Sequence, residues 1–277
     1  EEAGVNLARQ ALQSASFGNQ PSAYVREEQE LAEAEFRLLC CNEQYLIVRP
    51  TDDRPLVEQI DGYTIENAEK AIQRLEHIAR WNAIVKLHSP PTSSIKPDDV
   101  KMTFLSEEGE ELSQSKEIRL EYKYSDSYGE WEQPAFNLKL TNTSKKTLYL
   151  TLVDLTDLFA VQALFSDTGS VRLQPEEEVV VLEEYGGIAP KVPDELWEQG
   201  ITEFKDIMKL IVSTTEFDAR LMTQEALDTP RLTKRDVSSP NQSTLDRLMN
   251  RVQSRDLEPR SKGRFDNWYT EEVVITT

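Results

Sequence analysis

From Val100 onward, apolar and polar residues alternate at every second position, and this period restricts the possible folds more than any other feature of the chain. Val100, Met102 and Phe104 alternate with polar neighbours, as do Ile118, Leu120, Tyr122 and Tyr124, and then Phe136, Leu138 and Leu140. Further apolar runs follow at 148–153, 159–165, 171–173 and 179–182. In extended backbone successive side chains point to opposite faces, so each run can bury one face and wet the other. Short strands at this spacing, parted by turn residues, predict an antiparallel β-sandwich over residues 92–227. Phe204 to Thr214 reads two ways. Phe204, Ile207 and Leu210 fit a helix, whereas Leu210-Ile211-Val212-Ser213-Thr214 is β-branched and favours a strand in its second half.

Residues 35–91 follow another pattern. Phe36 to Cys41, Tyr45 to Val48 and Leu56 to Ile60 read as three short strands of a small sheet. Ile65, Ala68, Ile72 and Leu75 then recur at spacings of three and four. With Thr64 as N-cap and Ser89-Pro90-Pro91 as a stop, they predict one long amphipathic helix from Ile65 to Leu87. Residues 1–34 hold a short helix near Val5 to Ala15, a break at Gly18-Asn19-Gln20-Pro21 and a linker. The opening Glu1-Glu2-Ala3-Gly4, without a Met or a leader pattern, reads as a boundary inside a longer chain. Residues 228–277 read as a partly mobile tail, with a helix at Thr244 to Val252 and a terminal strand at 266–276. The expected class is mainly β (α+β): a sandwich preceded by a small sheet and one long helix.

Charge and composition exclude several functions. A net charge of −19 argues against a nucleic-acid partner, which would need clustered Lys and Arg. No apolar run approaches the roughly 20 residues that cross a bilayer. The two cysteines, Cys40 and Cys41, are adjacent and give no disulfide framework, which favours a reducing, cytoplasmic setting. The sequons at Asn142 and Asn241 carry little weight, since such triplets arise by chance.

Catalytic chemistry is not expected either. A cysteine nucleophile needs an imidazole within reach. Here the strand pattern puts one of Cys40 and Cys41 in a core and the other outside, His77 lies in the long helix beside Glu76, and His88 caps that helix's end. Two His and two Cys at these spacings match no zinc site. The acidic runs at 107–111 and 176–178 lack a calcium loop's pattern, and Gly186-Gly187 leads into no phosphate loop. No catalytic residue, metal or cofactor is assigned. Trp131, Tyr185, Trp197 and Trp268 fall near loops or strand ends and are the candidate partner-binding residues; their competing role is to plug the ends of the sandwich.

Several separated stretches carry a resemblance. They are Arg54 to Thr64 with Gln73 to Trp81, Leu140 to Ser144 with Leu148 to Thr156, and Val192 to Trp197 with Leu210 to Asp218. In this order they resemble a region downstream of the protease domain in large microbial and fungal caspase-family proteins. The resemblance implies a cytosolic parent with a caspase-like cysteine peptidase domain. It carries no catalytic residue to this chain: neither His77-Ile78 nor His88-Ser89 matches the family's His-Gly, and Cys40-Cys41-Asn42 does not match its Cys loop. The expected function is that of a non-catalytic accessory region serving recognition, autoinhibition or assembly, with the caspase-like peptidase domain as partner. The alternatives are a free-standing cysteine hydrolase and an acidic decoy for a basic partner.

Overall fold

A computed structural model describes residues 1–15, 20–112, 116–165, 169–229 and 267–277. The expected helix at 244–252, the mobile tail before Asn267, the sequon at Asn241 and residues Gly18 and Asn19 of the expected break lie outside the described residues. Those described are mainly β and divide into two compact units, one built on Glu1–Ile84 and the other on Val85–Glu225 with the terminal strand.

The first unit holds α1 (Glu2–Leu12), β1 (Arg37–Cys41), β2 (Gln44–Arg49), β3 (Asp52–Pro55), β4 (Ile60–Asp61) and α2 (Ile65–Val85). β1 and β2 close a hairpin whose two turn residues, Asn42 and Glu43, both have positive φ, the turn that matches the natural twist of paired strands. Gly4 lets α1 come close: a Cβ there would lie 2.7 Å from the Tyr63 ring and 2.9 Å from Cys40. The third expected strand, Leu56 to Ile60, is not formed. β2 instead pairs with β3 and β4 in turn, with a register shift at Val48/Arg49, and of the expected run only Ile60 falls in a strand, as the first residue of β4. The Thr64 hydroxyl accepts from the Asn67 amide, so α2 begins at its expected cap. The helix ends at Val85, and its buried residues include Glu76, His77 and Arg80 beside Ala68, Ile72 and Ile78. Its buried side is therefore wider than one apolar stripe.

The second unit contains β5 (Val100–Ser106), β6 (Glu117–Arg119), β7 (Lys123–Ser125), β8 (Glu130–Glu132), β9 (Phe136–Asn142), β10 (Leu148–Thr156), β11 (Val161–Ala163), β12 (Val171–Leu173), β13 (Glu178–Val181), α3 (Asp194–Glu198), β14 (Lys205–Ser213) and β15 (Trp268–Thr276). One sheet runs β11-β10-β14-β15-β6, with β12 also on β10; a second runs β13-β9-β5; β7 and β8 pair alone. Leu148, Leu150 and Leu152 of β10, with Met208, Leu210 and Val212 of β14, meet Phe136, Leu138 and Leu140 of β9 in one apolar cluster. Each such side chain contributes about 1.5–3 kcal/mol on burial.

Two expectations change here. The run Ile118 to Tyr124, read as one strand, is divided: Glu117–Arg119 pairs in parallel with β15, while Lys123–Ser125 leaves that sheet to pair with β8. Phe204 to Thr214 is strand nearly throughout, because β14 is bonded along its length by β10 on one side and β15 on the other, and two ladders override the helical spacing. The expected terminal strand is present as β15.

Candidate functional site

Both cysteines are free, Cys40 is buried, and burial pushes its thiol up from the ordinary range, the reverse of what an activated nucleophile requires. His77 is buried within α2, not at its surface, and His88 lies exposed beyond the helix end.

The exposed chemistry of the second unit gathers around the β7–β8 hairpin. Its turn spans Asp126–Gly129, with Gly129 at positive φ and its amide bonded to the Ser125 carbonyl at 2.7 Å. Tyr124 stands opposite Trp131 in this register, and their rings meet edge to face at 5.4 Å. Both remain more than half exposed, at 53% and 58%, and Tyr128 at the tip is 78% exposed. The hairpin is tethered at its base, where Gln133 Nε2 donates to the carbonyls of Ala189 and Pro190.

Tyr122 lies just before β7, outside any strand. The Tyr122 ring lies 6.1 Å from that of Trp197 on α3, and its hydroxyl accepts from the Val192 amide. Beneath them Val192, Leu196 and Phe204 form a small apolar cluster against which Tyr122 packs. The result is two ring pairs, Trp197 with Tyr122 and Tyr124 with Trp131.

Of the four expected aromatics, Trp131 is paired with Tyr124 on the hairpin and Trp197 with Tyr122 at α3. Tyr185 sits exposed at the end of a tight turn before Gly186. Gly187 permits the Phe136–Ile188 pairing that follows, since a Cβ there would lie 2.7 Å from the Phe136 carbonyl. Trp268 is a half-buried strand residue opposite Ser213, eight residues along β15 from Thr276 and so about 26 Å from the end that carries Phe204. Tyr122 and Tyr124 were absent from the sequence-derived set because their spacing reads as ordinary strand alternation.

A buried carboxyl pair lies close to this cluster. Asp154 stands opposite Met208, and Asp206 opposite Thr156, which makes the two aspartates diagonal neighbours on the core face of adjacent strands. Diagonal pairs of this kind sit about 7 Å apart. Burial pushes Asp154 up to about 7; Asp206, 5% exposed, is pushed to about 8 by burial and by the negative charges of Asp154 and Asp157. The Oδ1 atoms of both have no hydrogen-bond partner among the described residues. Chemically, this is a proton-holding pair. Among the described residues no group of three His, Cys, Asp or Glu is arranged to hold a metal, and no helix is long and apolar enough to cross a membrane.

The chain matches no protein-family model, no curated protein and no solved structure.

Proposed function

We propose that this chain is a non-catalytic recognition region of a caspase-family protein, with a β-sandwich, a small sheet and an amphipathic helix, that binds a caspase-like peptidase domain in the cytoplasm and modulates it. The observation that carries the reading is the exposed ring pair Tyr124 and Trp131 on the β7–β8 hairpin, with Tyr128 exposed at its tip. Large aromatic side chains left in solvent on a tethered hairpin contribute little to folding, and aromatic anchors supply much of the energy of protein–protein binding. The ordered sequence stretches that resemble caspase-family accessory regions supply the partner. Buried Cys40, with its raised thiol, speaks against the cysteine-hydrolase alternative.

Calorimetric titration of the chain into a purified caspase-like peptidase domain, with hydrolysis of a fluorogenic peptide followed in the same samples, tests this. Saturable binding with a severalfold change in rate is expected. No heat of binding together with an unchanged rate would sink the reading.

A further inference from the structure

The carboxyl pair on β10 and β14 adjoins the small apolar cluster of Val192, Leu196 and Phe204. Asp154 and Asp206 share one face of adjacent strands, and both strands run on from them into that cluster: Phe204 lies two residues before Asp206, and Leu158 four residues after Asp154. Neither Oδ1 atom has a hydrogen-bond partner, and neither carboxyl has a salt-bridge partner among the described residues. Both oxygens are acceptors, so the partner that suits them is a proton. Two negative charges would stand there uncompensated, in surroundings that penalise even one.

Among the described residues the neighbours bring no compensating charge. Asp157, just past the end of β10, adds a further negative charge. β11 sets the uncharged Gln162 opposite Asp154, and β15 sets Ile275 opposite Asp206. On and beside segment 192–204, Asp194, Glu195, Glu198 and Glu203 are exposed, Lys191 is paired with Asp194, and Lys205 with Glu203. This segment is lightly held. It comprises α3 and an exposed loop, 200–203, and its buried side chains are Val192, Leu196 and Phe204. Among the described residues its hydrogen bonds to the rest of the unit are that of the Val192 amide to the Tyr122 hydroxyl, 3.3 Å, and those of Phe204 with Thr277, 2.9 and 3.0 Å. Segments with few buried side chains and few such bonds open locally while the rest of a fold stays intact. From this placement we propose that Asp154 and Asp206 form a proton-held latch: with the pair protonated, segment 192–204 is closed over the strand ends, and with both carboxyls ionised it opens and uncovers Val192, Leu196 and Phe204. The latch does not depend on the recognition reading. Its working range follows from burial, which raises the two carboxyls to about 7 and about 8. The pair's contribution to closure is fully present below the ordinary aspartate range and is lost as pH rises through those values.

Hydrogen–deuterium exchange of the full chain at pH 6 and pH 9, read by mass spectrometry and corrected for the intrinsic pH dependence of exchange, tests the latch. Amides of 192–204 should be protected at pH 6 and exchange within about tenfold of an unstructured peptide at pH 9, while those of β9 stay protected at both. Asp154→Asn combined with Asp206→Asn is neutral at every pH and should keep the segment protected at pH 9. Asp206→Asn alone provides a second variant, in which the loss should be smaller than in the parent. Glu195→Gln with Glu198→Gln removes the same amount of charge from the exposed side of α3 and should open as the parent does. Circular dichroism verifies that each variant folds. A segment that stays protected at pH 9, that opens in both Asn variants as it does in the parent, or that opens only together with β9 would overturn the latch.

Discussion

Asp154 and Asp206 show how two ordinary residues acquire a shared property. Each alone on a surface strand would ionise near pH 4. Placed diagonally on the core face of β10 and β14, they are raised to about 7 and about 8, so the folded chain holds protons there that the unfolded chain has released. The sign follows directly. Stability from this pair is fully present below the ordinary aspartate range and is lost as pH rises through the folded values, with the loss complete above about pH 8. Urea denaturation at pH 6 and pH 9 should therefore show a fall of about 2 kcal/mol or more. Asp206→Asn supplies a neutral side chain of the same shape, and it should flatten the dependence and raise stability at pH 9. A slope unchanged in that variant would show that the pair does not hold the proton.

Asn142 belongs to the scale of elements. It ends β9 fully buried, and its amide nitrogen donates to the carbonyls of Lys146 at 2.8 Å, Leu173 at 3.0 Å and Gln174 at 3.0 Å, while its oxygen accepts from the amide and hydroxyl of Ser144. One side chain thus clasps the β9–β10 turn to the end of β12. The triplet Asn142-Thr143-Ser144, read in sequence as a chance sequon, is this clasp. Asn142→Ala would leave several carbonyls unsatisfied, at a cost of about 3 kcal/mol, and thermal denaturation should register it. Asn142→Asp should be no better, because an acceptor would then face acceptors. A midpoint within about 2 °C of the parent would refute the clasp, since about 3 kcal/mol corresponds to a fall of roughly 6–12 °C in a domain of this size.

At the scale of the whole molecule, β15 has the largest consequence. It lies between β14 and β6, antiparallel to the first and parallel to the second, and contributes Val273 and Ile275 to the core. A chain ending before Asn267 would expose the β14 edge along nine residues and leave β6 without its partner. Such open edges template aggregation. The truncated chain should elute as aggregate in size-exclusion chromatography; a monodisperse, native-like product would show that the sheet closes without β15. The alternation in Phe136 to Leu140, the hairpin at Cys41 to Gln44 and the cap at Thr64 were each legible in the sequence, because they depend on residues a few positions apart. What the sequence could not disclose were the division of Ile118 to Tyr124 between two sheets, the joining of Tyr122 to Trp197, and the meeting of Asp154 with Asp206. Each is settled by pairing between segments roughly 50 to 160 residues apart, where local periodicity is silent and only the geometry of the assembled sheets decides which side chains share a face.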